Sequence, residues 1–136
     1  MRPGETEGVV LVLDTLPECK VIHDALDGGL GSDLLPSYDL DTEEGLNAWG
    51  NSLPMRFRSQ TRDIVTINHN GLPPGFTTDE IWSLEPEFRV TVEDVPFVQA
   101  AAKRILDEKS IAERLFNRVT RRTSAAKRIT KTLEHN

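Results

Sequence analysis

Seven cations and no acid occupy the stretch from Arg114 to Lys131: Arg114, Arg118, Arg121, Arg122, Lys127, Arg128 and Lys131. Clustered cations create a field that a polyanion can use, whatever the overall charge. The rest of the chain has the opposite sign. Residues 1–96 hold 18 Asp/Glu against 6 Lys/Arg, and residues 97–136 hold 10 Lys/Arg against 4 Asp/Glu. The basic tail points to duplex DNA or an acidic protein surface as partner. The acidic front excludes a molecule that binds nucleic acid over its whole surface, and could itself be the tail's partner, in the same chain or in a neighbouring subunit.

Other chemistry-bearing residues are sparse. Cys19 is the single cysteine, so it makes no internal disulfide and suits a reducing compartment. His23 lies four residues on, but a nucleophilic thiol needs a positioned base, and a buried inert thiol is the simpler reading. His23, His69 and His135 have no zinc-site spacing. Asp39, Asp41, Glu43 and Glu44 form an acidic cluster without EF-hand spacing, which reads as a solvated loop. There is no Gly-rich phosphate loop and no Cys-x-x-Cys, so no metal or cofactor is expected.

The elements that must position these groups follow from pattern. Residues 8–14, Gly-Val-Val-Leu-Val-Leu-Asp, read as a buried strand, and 19–23 as a possible short second strand. Residues 27–38 read as a loop. Thr42 caps a short helix to about Trp49, with Glu43 and Glu44 in its first turn. Residues 55–69 form the longest strand-like stretch. Asn70-Gly71-Leu72-Pro73-Pro74-Gly75 is the strongest punctuation and marks the main boundary. A short helix over 78–84 follows, then alternation at 88–92 with Phe88, Val90 and Val92 on one face. Asp94 then caps a helix with Val98, Ala101, Ala102 and Ile105 as its apolar stripe.

The tail allows two structures. Ala112, Phe116, Val119, Ala126, Ile129 and Leu133 fit a continuing helix. The β-branched Val119, Thr120, Thr123, Ile129, Thr130 and Thr132 instead favour a hairpin around Ser124-Ala125-Ala126-Lys127. The expected fold class is therefore α+β: a small acidic, β-rich unit over 1–72, followed by a basic helical or winged-helix unit over 73–136.

The second unit resembles winged helix-turn-helix DNA-binding modules. The resemblance lies in residues 75–82 (Gly-Phe-Thr-Thr-Asp-Glu-Ile-Trp), in the helix following Asp94, and in the basic run from Arg121 to Thr130. It implies a recognition helix carrying Lys103 and Arg104, which would read bases. It also implies a wing in which Arg118, Arg121, Arg122, Lys127, Arg128 and Lys131 would hold phosphates. The implied protein is a non-enzymatic DNA-binding or regulatory protein. Two alternatives stand beside it. One is an assembly subunit, such as a phage virion component, that docks through the tail as a possible homo-oligomer, with Trp49 and Trp82 as anchors if exposed. The other starts from Leu11-Val12-Leu13-Asp14-Thr15, which resembles the opening of PIN-type metal-dependent nucleases and would carry over Asp14, Glu43 or Glu44, and Asp94. No apolar run reaches membrane-span length, and no signal peptide is recognisable at residues 1–7. The expected location is the cytoplasm, or a particle assembled there.

Overall fold

The computed structural model describes residues 1–30, 34–61, 86–107 and 121–134. Three short strands, β1 (Arg2–Pro3), β2 (Val9–Leu13) and β3 (Phe88–Thr91), form an antiparallel sheet with β2 in the centre. Around it lie α1 (Leu16–Asp27), α2 (Glu43–Gly50), α3 (Leu53–Thr61), a 3-10 turn (Val92–Asp94), α4 (Val95–Asp107) and α5 (Arg121–Glu134). The fold is α+β, with helix predominating among the described residues.

β2 pairs Leu13 with Phe88 and Leu11 with Val90, and an irregularity interrupts the register between Val9 and Leu11. Directly paired residues point to the same face of a sheet. Leu11, Leu13, Phe88 and Val90 therefore form one apolar face, and all four are buried in the core. Val12 faces the other way, flanked across the strands by Arg2 and Arg89.

α1, α4 and α5 pack on one another and close the apolar face. The residues expected as the α4 stripe, Val98, Ala101, Ala102 and Ile105, are buried as anticipated. Ala101 and Ala102 are fully buried, as are Ala125 and Ala126 of α5. Small side chains on both helices suit a close approach of their backbones. At the far end of α1, the guanidinium of Arg104 lies where a Cβ on Gly28 would sit, so any side chain at position 28 would have to push it aside.

Several expectations need correction. Residues 19–23 are not a strand but the middle of α1. Leu16, Cys19, Ile22 and Ala25 recur at helical spacing and are all buried, which outweighs the β preference of Val21 and Ile22. The start of the expected strand at 55–69 is helical: Leu53, Phe57 and Thr61 recur every four residues as the buried side of α3. Phe57 meets Phe88 with ring centroids 5.3 Å apart, and Gln60 Oε1 accepts from the backbone N–H of Arg89 at 2.8 Å, so α3 covers the β3 edge. The rest of that stretch, and the helix expected over 78–84, lie outside the described residues.

Asp94 does not cap α4 from outside. It ends the 3-10 turn, and its carboxylate accepts from the N–H and hydroxyl of Thr91, each at 2.9 Å. That turn removes Val92 from the strand alternation and leaves it exposed. Neither expected tail structure holds as stated: α5 packs against α4 instead of continuing it as one helix, and the expected hairpin is also not there. Residues 121–134 form one helix, and no wing hairpin exists there. Thr123, Ala126, Ile129 and Leu133 form a buried stripe against α1 and α4, and packing of that stripe overrides β-branched propensity.

The boundary expected at 72/73 falls outside the described residues. On either side of it, β2 pairs with β3, and the core draws on α1 and α3 as well as on α4 and α5.

Candidate nucleic-acid interface

α5 has two sides. At about 100° per residue, Ala125, Ala126, Ile129 and Leu133 fall together and are buried. Arg121, Lys127, Arg128 and Lys131 fall on the opposite side and are exposed. Ser124 lies between Arg121 and Arg128 on the same stripe. With Thr15 and Pro17 at the start of α1, these three residues line an open cleft of about 400 Å³. The outer side of α5 is thus a row of cations on a rigid, packed element.

The remaining candidate residues fare differently. Lys103 is exposed on α4, whereas Arg104 is half-buried with its guanidinium over Gly28. Arg118 lies outside the described residues. Arg122 is half-buried, and its Nη1 donates to Asp24 Oδ2 of α1 at 2.5 Å. Asp24 also meets His23 Nδ1 at 3.2 Å. Arg128, though about half exposed, reaches back to Glu18 Oε2 of α1 at 3.5 Å. Among the described residues, the acidic front thus meets the tail within the same chain at Asp24 and at Glu18.

Glu18 is 1% exposed and sits between Arg128 and the amino group of Met1, the latter at 2.9 Å. Asp14 pairs with that amino group and with Arg2. The two flanking cations offset part of the cost of burying this carboxylate. Cys19, fully buried one residue on, has its Sγ 3.5 Å from the carbonyl of Leu13. Burial pushes its thiol well above the ordinary range, and the nearby charges of Glu18 and Asp14 push the same way. A thiol held protonated is a poor nucleophile.

The carboxylates expected from the nuclease resemblance have separate settings. Asp14 serves Met1 and Arg2. Asp94 takes Arg56 Nη2 at 2.6 Å together with Thr91. Glu43 and Glu44 are exposed in the first turn of α2. Among the described residues no group of three or more His, Cys, Asp or Glu side chains could hold a metal ion. No described helix is long and apolar enough to cross a membrane.

A second surface was only partly visible in sequence. Thr42 caps α2 as expected, its hydroxyl accepting from the Gly45 N–H at 3.0 Å. Yet no residue of α2 is buried, and Leu46 and Trp49 are 48% and 41% exposed. Beside α2 lies a cavity of about 530 Å³ lined by Leu35, Tyr38, Asn51, Arg56, Asp94 and Phe97, among others.

No family model matches the chain, and no curated protein or solved structure shows a significant match to it.

Proposed function

We propose that the protein is a non-enzymatic DNA-binding protein that grips the duplex backbone with the outer side of α5. The observation that carries this reading is the division of α5. One side is locked into the core, and the other presents Arg121, Lys127, Arg128 and Lys131 side by side, with Lys103 exposed on the adjacent α4. A helix fixed by packing presents its cations without the ordering cost of a free tail.

Because residues 121–134 form no wing, the reading rests on phosphate binding more than on base recognition. Phosphate contacts fix position and supply affinity but carry little sequence information. Binding should therefore be weakly sequence-dependent and strongly salt-dependent. Fluorescence anisotropy with labelled duplexes of different sequence, across a salt series, tests this. Engagement of four phosphates gives a log–log slope of about −3.6. A second reading, a subunit of an assembly, is favoured by Leu46 and Trp49, which α2 leaves exposed.

A further inference from the structure

We infer that the α2 face is a docking surface for α5 of a second copy of this chain. Large exposed apolar side chains are normal singly but informative when gathered. Here Leu34, Leu40, Leu46, Trp49 and Val92 are all at least 41% exposed. Four come from residues 34–49. The fifth, Val92, lies between Thr91 and Glu93, which line the cavity beside α2. Leu34 and Asn51, the residue that follows α2, line the same cavity, so it opens at the C-terminal end of that helix. Leu46 and Trp49 are three residues apart on α2 and share a face.

The charge of this surface selects the occupant. Asp39, Asp41, Glu43 and Glu44 lie in the same segment as Leu40 and Leu46, Glu93 follows Val92, and all five are exposed, while no Lys or Arg occurs between Lys20 and Arg56. The surface therefore fits a basic helix. The outer side of α5 is such a helix: Arg121, Lys127, Arg128 and Lys131 are exposed on it, and Glu134 is its one acid. The long stems of Lys and Arg can cover apolar surface while their charges meet the carboxylates. Trp49, 41% exposed, is a side chain on which a cation can stack.

The two surfaces are different patches of one molecule, so the contact is head-to-tail and builds a ring or an open chain rather than an isologous dimer. An eight-residue helix is only about 12 Å long, so the association is weak and dissociates as salt screens it. This inference does not depend on DNA binding. Both would use α5, so DNA and a second copy would compete.

The test is sedimentation of the full chain over a concentration series at low and high salt. The expected result is a mass that rises with concentration at low salt and returns to the monomer at high salt. Leu46→Ala with Trp49→Ala, and separately Lys127→Glu with Lys131→Glu, should each leave a monomer with an unchanged circular dichroism spectrum. The first variant keeps an intact α5 and the second an intact α2 face. Mixed at low salt, they should therefore form a one-to-one pair and nothing larger, because each copy has one working surface. A parent that stays monomeric at low salt overturns the inference. So does association that survives the α2 substitutions, or a mixture that remains monomeric. Because α5 is intact in Leu46→Ala/Trp49→Ala, its DNA affinity should be unchanged. Loss of self-association with retained DNA binding in that variant separates this inference from the DNA-binding proposal.

Discussion

Arg122 Nη1 meets Asp24 Oδ2 at 2.5 Å, joining the basic tail to the acidic front within one molecule. The pair spans 98 residues of sequence, and with Arg128 and Glu18 it anchors α5 along α1. It also takes one cation out of the set available to an external anion. Asp24→Asn should release Arg122 and tighten DNA binding by a few-fold. Arg122 is 42% exposed, so the stability cost should be small, about 0.5 kcal/mol or less. Parallel anisotropy and urea titrations check both halves. Weaker DNA binding in Asp24→Asn would mean that Arg122 does not face the duplex when freed.

Stability and binding should separate along α5. Ile129 is fully buried, and Ile129→Ala should cost about 2–4 kcal/mol through lost burial and the cavity left behind. Lys127→Ala and Lys131→Ala should stay within about 0.5 kcal/mol of the parent. Both should nevertheless weaken DNA binding, and the salt slope should become shallower by about 0.9 for each phosphate no longer neutralised. Urea midpoints and salt-series affinities on the same preparations make the comparison.

The Arg56–Asp94 pair ties the start of α3 to the start of α4. Asp94 is 5% exposed, and Arg56 also donates from Nε to the carbonyl of Asn51 at 2.9 Å. Asp94→Ala removes both Thr91 bonds and leaves the guanidinium without its counter-charge. A loss of about 3 kcal/mol is expected, read as a shift in urea midpoint at unchanged m-value. Asp94→Asn, which keeps an acceptor for Thr91, should recover part of it.

Cys19 gives a pH signature. Its thiol is raised in the folded protein, chiefly by burial, while the unfolded chain titrates at the ordinary value near 9.0. Below that pH both states hold the proton and the group contributes nothing to the pH dependence. Above it the unfolded chain loses the proton and the folded chain does not. Stability then falls by about 1.4 kcal/mol per pH unit from this group. Cys19→Ala should remove that component of the alkaline slope. In the parent, at a pH of about 8, thiol alkylation should proceed only as fast as the protein opens.

Elements with a local signature were legible in the residues. β2 follows from an apolar run, α2 from the Thr42 cap with its acidic first turn, and α4 from Val98, Ala101, Ala102 and Ile105 at helical spacing. α1 and α3 were obscured because Val21, Ile22 and the stretch that follows Met55 read as strand, while the buried stripes that decide the matter emerge only on packing, α1 against α4 and α5 and α3 against β3. Asp94 was recognisable as a capping residue, but not that it would cap a 3-10 turn begun by Thr91 and hold Arg56 from α3. The tail shows the same division. Its cations were evident, as was the possibility that the acidic front would answer them. Which cations meet front carboxylates, Arg122 closely at Asp24 and the still half-exposed Arg128 more distantly at Glu18, depends on α1 being a helix alongside α5, and that is set by tertiary packing.

Whether the outer side of α5 binds the DNA backbone is tested most directly by comparing the parent with Lys127→Glu/Lys131→Glu for affinity to two unrelated duplexes across a salt series. The parent should bind at low salt with a log–log slope of about −3 to −4 and with similar affinity for both duplexes. The variant should lose binding while keeping its fold. Absence of binding by the parent at low salt, or equal binding by parent and variant, would contradict a DNA-gripping role for α5.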